Sequence, residues 1–256
     1  MTTIENALDR TAGDEGLHDG ADGGTATIVD GASALPAAAS GRRQRGPLTG
    51  PTSTAIYAKR HTVFEDHHPA DAIYQVISGA VILTRPVNGG RRQVIEVVGP
   101  GGLLGVVSGT HYGCRAETMT RTILRRITRR TIERSTALQR VIGQALTRKL
   151  ERLHEETSMR TRMSATECVA ALILSLPRAE VEAPPADAAC GDYRLALPQS
   201  DMASYLGLAI ETVCRAMKNL KRMGAIRTSG REWIAILDEK ALARLAASEP
   251  ASAASN

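Results

Sequence analysis

Short apolar runs separated by turn residues fill the chain from Ile56 to about Thr128. The runs are AIYQVISG, AVILTRPV, RQVIEVV and RTILRRIT. The alternation in RQVIEVV and the NGG break before it indicate two strands of a hairpin. Several short strands at this spacing predict a small antiparallel barrel or roll. The glycine-rich GPGGLLG indicates a pair of turns, because no Lys-Ser/Thr follows it as a phosphate-binding loop would require.

The period becomes helical at about Thr131. Apolar residues recur at spacings of four and three, at Ile142, Leu146, Leu150 and Leu153, with charged residues beside them. This predicts one amphipathic helix from about Thr131 to Ser158, roughly 40 Å long, with a narrow apolar seam. Such a seam suits pairing with a second copy of the chain. The alternative is a helix that lies on its own domain.

The carboxy-terminal part predicts further helices and a hairpin. SATECVAALILSLP indicates a helix that Pro177 ends, and residues 178–191 indicate a connecting loop. Pro198 can then open a short helix, Gly207 permits a tight turn, and Gly224 ends a second helix. The segment AIRTSGREWIAIL follows as a hairpin. Two short helices, a glycine turn and a hairpin predict a winged helix-turn-helix.

Composition limits the number of domains and the kind of partner. The 256 residues are 43% hydrophobic, which suffices for one large or two modest cores. The net charge of +5 is uneven, since residues 1–30 are acidic and the carboxy-terminal part is basic. A basic region favours a polyanionic partner, and a solvated surface is the alternative. Residues 1–50 and 247–256 are predicted to be disordered tails, although Arg42, Arg43 and Arg45 could form an arm that contacts phosphates.

Several function classes lack the residues that they require. No apolar run is long enough for a membrane span and no signal peptide opens the chain, so a cytoplasmic protein is expected. The cysteines at 114, 168, 190 and 214 are far apart, which predicts reduced thiols and no disulfide, metal or other cofactor. No nucleophile and base stand at catalytic spacing, so no enzyme is expected.

The second helix of the predicted helix-turn-helix has two different faces. Val213, Met217 and Leu220 share an apolar side, and the residues that follow the i, i+3, i+4, i+7 rule on the other are Glu211, Cys214, Arg215 and Lys218. In a major groove, Glu211, Cys214 and Arg215 would face base edges. Arg215 can bind guanine O6 and N7, and Glu211 can accept from a cytosine or adenine amino group.

Other residues of the same region are assigned to the DNA backbone or to the protein core. The predicted phosphate contacts are Thr212, Lys218, Lys221 and Arg222. The alternative for Glu211 and Arg215 is a surface ion pair one helical turn apart. Trp233 is expected to pack within the wing hairpin, and the alternative is a platform on which bases stack.

Three stretches carry a resemblance to a known family. ISGAVILTRPVNGGRRQVIEVVGPGGLLG, MSATECVAALILSLP and YLGLAIETVCRAMKNLKRMGAI resemble the Crp/Fnr superfamily of bacterial transcription regulators over about residues 54–245. The third is close to the family pattern Y-L-G-L-T-x-E-T-V-S-R and looks like the FixK branch of the Fnr group. The resemblance implies a homodimer that binds TTGA-type palindromes, an activator that contacts RNA polymerase, and control of microaerobic, denitrification or nitrogen-fixation genes.

The resemblance also implies an α+β fold with defined boundaries. An amino-terminal antiparallel β-roll of the cyclic-nucleotide-binding type, a double-stranded β-helix, is expected over 51–130. The dimerisation helix is expected over 131–160, and the winged helix-turn-helix domain over 161–246. Cyclic-nucleotide binders carry Gly-Glu and later Arg-Ser/Thr-Ala, whereas Val106 follows Gly105 here and Cys114 replaces the arginine. Binding of cAMP is therefore not expected, and a roll that binds an unidentified effector is the alternative.

Cys214 departs from the family pattern because it stands where a serine usually contacts a thymine. A thiol is similar in size but is a weaker hydrogen-bond donor. One hypothesis is a redox switch, in which oxidation adds bulk or charge at the base edge and blocks binding. The alternative is that Cys214 only packs against a thymine methyl. Ala209 likewise replaces the usual N-cap threonine, which predicts a loss of about 0.5–2 kcal/mol for this helix unless a neighbour caps it.

Overall fold

The computed structural model describes residues 52–87, 91–160, 163–178, 192–229 and 233–247. The predicted tail over 1–50, the NGG turn and all but Arg178 of the connecting loop lie outside these residues, and only Ala247 of the tail over 247–256 is described. Contacts divide the chain into two compact units. One comprises the chain up to Ile82 with Val98–Lys149, and the other comprises Leu83–Val97 with the chain from Leu150 onward. Residues 83–97, which the sequence assigns to the roll, are thus grouped with the carboxy-terminal helices.

The roll consists of short antiparallel strands. Their bounds are β1 Thr52–Tyr57, β2 Thr62–Phe64, β3 Ala72–Ser78, β4 Val81–Val87, β5 Arg91–Val98, β6 Leu103–Leu104, β7 Arg115–Thr118 and β8 Thr122–Thr128. They form two sheets, with strand orders β1-β8-β3-β6 and β2-β7-β4-β5. Leu124 of β8 is opposite Ala55 of β1 and Val76 of β3, and all three side chains are buried. The predicted antiparallel β-roll is therefore confirmed.

Two helices follow the roll where the sequence predicts one. They are α1, Arg129–Arg134, and α2, Thr136–Arg160, which has 25 residues and is about 37 Å long. The residue between them, Ser135, has extended dihedral angles. Its hydroxyl accepts from the Leu138 amide at 3.2 Å. The prediction of a single helix from 131 is wrong at its start, because Ser135 caps the amino terminus of α2.

The first turns of α2 pack against the roll. Leu138 and Ile142 are buried in a cluster with Ile73 of β3 and Ile127 of β8. Ile142, which the sequence places in the apolar seam, is 8% exposed and faces its own domain. That part of the seam prediction is wrong, because periodicity identifies an apolar face but does not tell which surface covers it.

The carboxy-terminal elements form a winged helix-turn-helix, as predicted. They are α3 Ala165–Ser175, β9 Asp192–Leu195, α4 Gln199–Leu206, α5 Ile210–Arg222, β10 Ile226–Ser229, β11 Trp233–Ile236 and α6 Glu239–Ala246. The wing sheet has the order β10-β11-β9. Trp233 packs edge-on against Tyr193 with ring centroids 4.9 Å apart, so it lies within the wing sheet.

No helix in the described part of the chain is long and apolar enough to span a membrane. Among the same residues, no group of three or more His, Cys, Asp or Glu side chains could hold a metal ion.

Candidate nucleic-acid interface

The α4-turn-α5 unit is held in place by its buried side. Val213, Ala216, Met217 and Leu220 of α5 are each at most 3% exposed. Helix α3 packs against both α5 and α6, which gives this face its hydrophobic partners. Gly207 adopts the left-handed conformation at φ 68°, where a side chain would be strained, so the turn after α4 is tight. The apolar positions of α5 are those that the sequence predicts.

The opposite side of α5 leaves the predicted contact residues accessible. Glu211 and Arg215 are exposed, and Thr212 and Cys214 are half-buried. The predicted phosphate contacts nearer the carboxyl end of α5 are exposed as well: Lys218, Lys221 and Arg222. Glu211 and Arg215, both described, form no ion pair with each other in this structure, and their contact with bases stays a prediction. The helix thus presents an acid, a thiol and a guanidinium to solvent on one face.

The start of α5 has two features that bear on recognition. Ile210, the first residue of the helix, is 44% exposed although it is a large apolar residue. The sequence pattern alone did not identify Ile210, although its place directly after the N-cap is the signal that could have done so. Ala209 forms the N-cap with suitable dihedral angles, φ −67° and ψ 144°, but no side chain caps the helix there.

A hydrogen bond joins the first helix of the helix-turn-helix, α4, to the second, α5. The Sγ of Cys214 donates to Oε1 of Gln199 at 2.7 Å. Gln199 is the first residue of α4 and lies 15 positions before Cys214. Helical periodicity relates residues of one helix only, so it does not identify Gln199 as a neighbour of Cys214.

Residues of β5 contact α4 within the second compact unit. Arg92 of β5 donates to Oδ2 of Asp201 at 2.7 Å. The Val94 amide donates to the hydroxyl of Ser204 at 3.1 Å, and that hydroxyl donates to the Arg92 carbonyl at 3.3 Å. Asp201 is 6% exposed, so Arg92 supplies a cationic partner for a buried carboxylate. These contacts explain why residues 83–97 are grouped with the carboxy-terminal chain.

Aromatic side chains fill the roll next to Gly105. A Cβ at Gly105, which has φ 78°, would lie 2.9 Å from a ring carbon of Tyr112. Tyr112 stacks on Phe64 at 3.9 Å between centroids and donates to the Ala72 carbonyl at 2.7 Å. Burial raises the pKa of the Tyr112 phenol well above its ordinary value. These rings occupy the space beside the glycine that precedes Val106.

The two positions that hold a nucleotide in cyclic-nucleotide binders carry no charge here. Val106 is 36% exposed, and Cys114 is half-buried. The next residue, Arg115, contacts Glu117 at 3.1 Å and Thr62 at 2.8 Å. Its guanidinium is thus held along the strands of the roll by other side chains.

The predicted seam of α2 is exposed beyond Ile142. Leu146, Leu150 and Leu153 are 39%, 54% and 44% exposed. Three large apolar residues at spacings of four and three form a stripe along one helix, here called the leucine stripe. Exposed apolar stripes of this kind commonly pack against another helix.

Comparison with known proteins gives two matching family models. The model of the Crp-like helix-turn-helix domain matches residues 168–245, and that of the cyclic nucleotide-binding domain matches residues 55–137.

Several individual proteins are similar over most of the chain. The nitrogen fixation regulation protein FixK of Rhizobium meliloti is 31% identical over 201 residues, which cover 78% of this chain and 90% of the relative. A CRP-like cAMP-activated global transcriptional regulator of Mycobacterium tuberculosis is 29% identical over 212 residues, with 78% and 90% covered. The solved structure of FixK2 from Bradyrhizobium japonicum matches with a TM-score of 0.62 at 26% identity, and 77% of this chain and 98% of that one are covered.

Proposed function

This chain belongs to the Crp/Fnr superfamily of DNA-binding transcription regulators and is related to FixK, and on that premise we propose that it binds TTGA-type palindromes as a homodimer. The observation that carries the proposal is the accessible face of α5, where Glu211, Cys214 and Arg215 lie opposite the buried side. A helix of 13 residues with such a face fits a major groove.

The contact residues of α5 have separate roles in this proposal. Arg215 donates to O6 and N7 of the guanine in TTGA, and Glu211 accepts from a cytosine or adenine amino group. Ile210 and Cys214 lie beside them and suit thymine methyl groups. Thr212, Lys218, Lys221 and Arg222 contact phosphates, which fixes the orientation of α5 and supplies salt-dependent affinity.

The leucine stripe supports the homodimer. Leu146, Leu150 and Leu153 would pair with the same residues of a second copy. A dimer of this kind would bind half-sites whose centres lie about one turn of DNA apart, roughly 34–36 Å. Bound in this way, the dimer would contact RNA polymerase and act as an activator. The names of the FixK relatives support a role in nitrogen fixation, and we extend this proposal to microaerobic respiration and denitrification genes.

A ligand-gated roll is the alternative, and the structure gives it less support. The stacked rings of Phe64 and Tyr112 occupy the space beside Gly105, and Val106 and Cys114 offer no charged partners to a nucleotide. We therefore expect DNA binding without an added effector.

Fluorescence anisotropy tests the proposed function. The purified, reduced chain is titrated onto a labelled duplex with TTGA and TCAA half-sites and onto a duplex in which both half-sites are scrambled, with and without cAMP. We expect tighter binding to the palindrome, with no change on addition of cAMP. Equal affinity for the two duplexes would contradict the proposed DNA site, and binding only with cAMP would favour the ligand-gated alternative.

The redox hypothesis for Cys214 stays a prediction with its own test. Mild peroxide should weaken palindrome binding by the parent chain and leave Cys214→Ser unchanged. Equal loss of binding by both would exclude Cys214 as the switch.

A further inference from the structure

Cys214 differs from the other predicted base contacts because a residue outside α5 holds its side chain. Glu211 and Arg215 are exposed, whereas Cys214 is half-buried against α4. The residue that holds it is Gln199, whose Oε1 lies 2.7 Å from Sγ. The only described hydrogen-bond partner of the thiol in this arrangement is thus an amide carbonyl oxygen at the start of α4.

The hydrogen-bonding capacity of the two groups determines which atom donates. A thiol has one hydrogen and is a weak acceptor, whereas an amide oxygen accepts readily. The Cys214 hydrogen therefore points to Gln199 and is not available to a base. What Cys214 presents to DNA is then a polarisable sulfur without a hydrogen, which behaves as an apolar surface.

We propose that Gln199 is a positioning residue that determines which feature of a thymine Cys214 recognises. With its hydrogen held by Gln199, Cys214 contacts the thymine C5 methyl group and does not donate to O4. Without Gln199, the thiol could rotate and donate to O4. The inference rests on the proposed function, since it requires α5 to lie in a major groove.

A merely structural role for Gln199 makes a different prediction. If Gln199 only joined α4 to α5, its removal would weaken binding to every duplex by the same factor. A role in recognition would instead change the ratio between two duplexes that differ by one methyl group. Deoxyuridine provides that pair, because it keeps O4 and lacks only the methyl.

The experiment measures anisotropy with duplexes in which each thymine of TTGA is replaced in turn by deoxyuridine in both half-sites. For the parent chain, we expect a loss of about fourfold in affinity per half-site at the thymine that Cys214 contacts, the effect of one buried methyl. Cys214→Ala identifies that position, because this loss should disappear only there. Gln199→Met keeps the length of the side chain and removes the hydrogen-bond acceptor. The ratio of the affinities for the thymine and deoxyuridine duplexes at that position should therefore fall toward one. Gln199→Glu is the matched control: it still accepts the thiol hydrogen and should keep the parent ratio, although its charge weakens binding to every duplex.

Either of two results would overturn the inference. One is a parent chain that does not distinguish thymine from deoxyuridine at either position. The other is a Gln199→Met variant that keeps the full parent ratio.

Infrared spectroscopy separates failure of this inference from failure of the proposed function. The S–H stretching band of Cys214, isolated by difference against Cys214→Ser, should lie at lower frequency in the parent chain than in Gln199→Met, because a hydrogen bond weakens the S–H bond. This measurement needs no DNA. An unchanged band would overturn the inference, whereas a shifted band in a chain that ignores TTGA sites would show that the bond exists and that the proposed DNA site is wrong.

Discussion

Arg215 and Lys221 lie on the same helix, and we expect their loss to have different effects. Arg215→Ala should weaken binding by about 1–3 kcal/mol per half-site and should abolish the preference for guanine at one position of each half-site. Lys221→Ala should weaken binding to all sequences equally. It should also reduce the slope of the logarithm of the binding constant against the logarithm of the salt concentration by about one per phosphate contact. Anisotropy at several salt concentrations, with cognate and guanine-substituted duplexes, measures both. An Arg215→Ala variant that still selects guanine would contradict its assignment.

Ala209 is an N-cap without a capping side chain, and serine at this position should stabilise the protein. Its dihedral angles already suit a capping residue, so Ala209→Ser needs no backbone change to accept from an amide of the first turn of α5. The free energy of unfolding should rise by about 0.5–2 kcal/mol. Ala243→Ser, at an exposed position inside α6, is the control and should be slightly destabilising. Thermal unfolding of the three chains provides the comparison.

Single residues show what sequence can predict at this scale. The periodicity of α5 identifies both its buried residues and Glu211, Arg215 and Lys218, because a helix maps spacing directly onto direction. It does not identify Gln199, since this residue reaches Cys214 from another helix. The DNA contacts assigned to the accessible side chains stay predictions.

We expect α2 to have two separate roles, one in the folding of the roll and one in self-association, and two substitutions should separate them. Ile142→Ala removes a side chain buried against the roll and should lower the free energy of unfolding by about 2–5 kcal/mol. Leu150→Lys changes an exposed member of the leucine stripe, so it should disrupt self-association and leave the roll folded. Gln144→Lys adds the same charge at an exposed position off the stripe and is the control. Sedimentation and thermal unfolding measure the two effects, and a dimeric Leu150→Lys chain would contradict the proposed seam.

Whole elements are predicted better than their ends and partners. The strands of the roll, the helix-turn-helix and the wing follow from alternation, helical period and glycine positions. The break at Ser135 is missed because the apolar pattern continues across it, while a local hydroxyl hydrogen bond interrupts the helix. The contact of Arg92 with Asp201 is missed because the two residues are 109 positions apart.

At the scale of the whole molecule, the proposed dimer makes the spacing of its half-sites critical. One turn of DNA places both half-sites on the same face of the duplex. Inserting about five base pairs, half a turn, should place them on opposite faces and reduce binding to that of a single half-site. Anisotropy with the two duplexes tests this. Equal affinity for both would mean that the two α5 helices are not fixed relative to each other.

The fold class and the family can be predicted from the sequence, because both domains carry local sequence patterns of their own. The association of residues 83–97 with the second unit cannot be predicted in this way, because it depends on contacts between segments far apart in the chain. Residues 83–97 follow the strand pattern of the roll in sequence, and their hydrogen bonds to Asp201 and Ser204 arise only in the folded chain.

The edge-on packing of Trp233 against Tyr193 gives the protein an internal optical reporter. The chain has a single tryptophan, and it lies in the wing sheet. Light at the red edge of the absorption band, where tyrosine does not absorb, excites Trp233 alone. Its emission then follows the winged domain, whereas circular dichroism follows the whole chain. A denaturant titration with both signals can therefore separate melting of the wing from melting of the roll without any label.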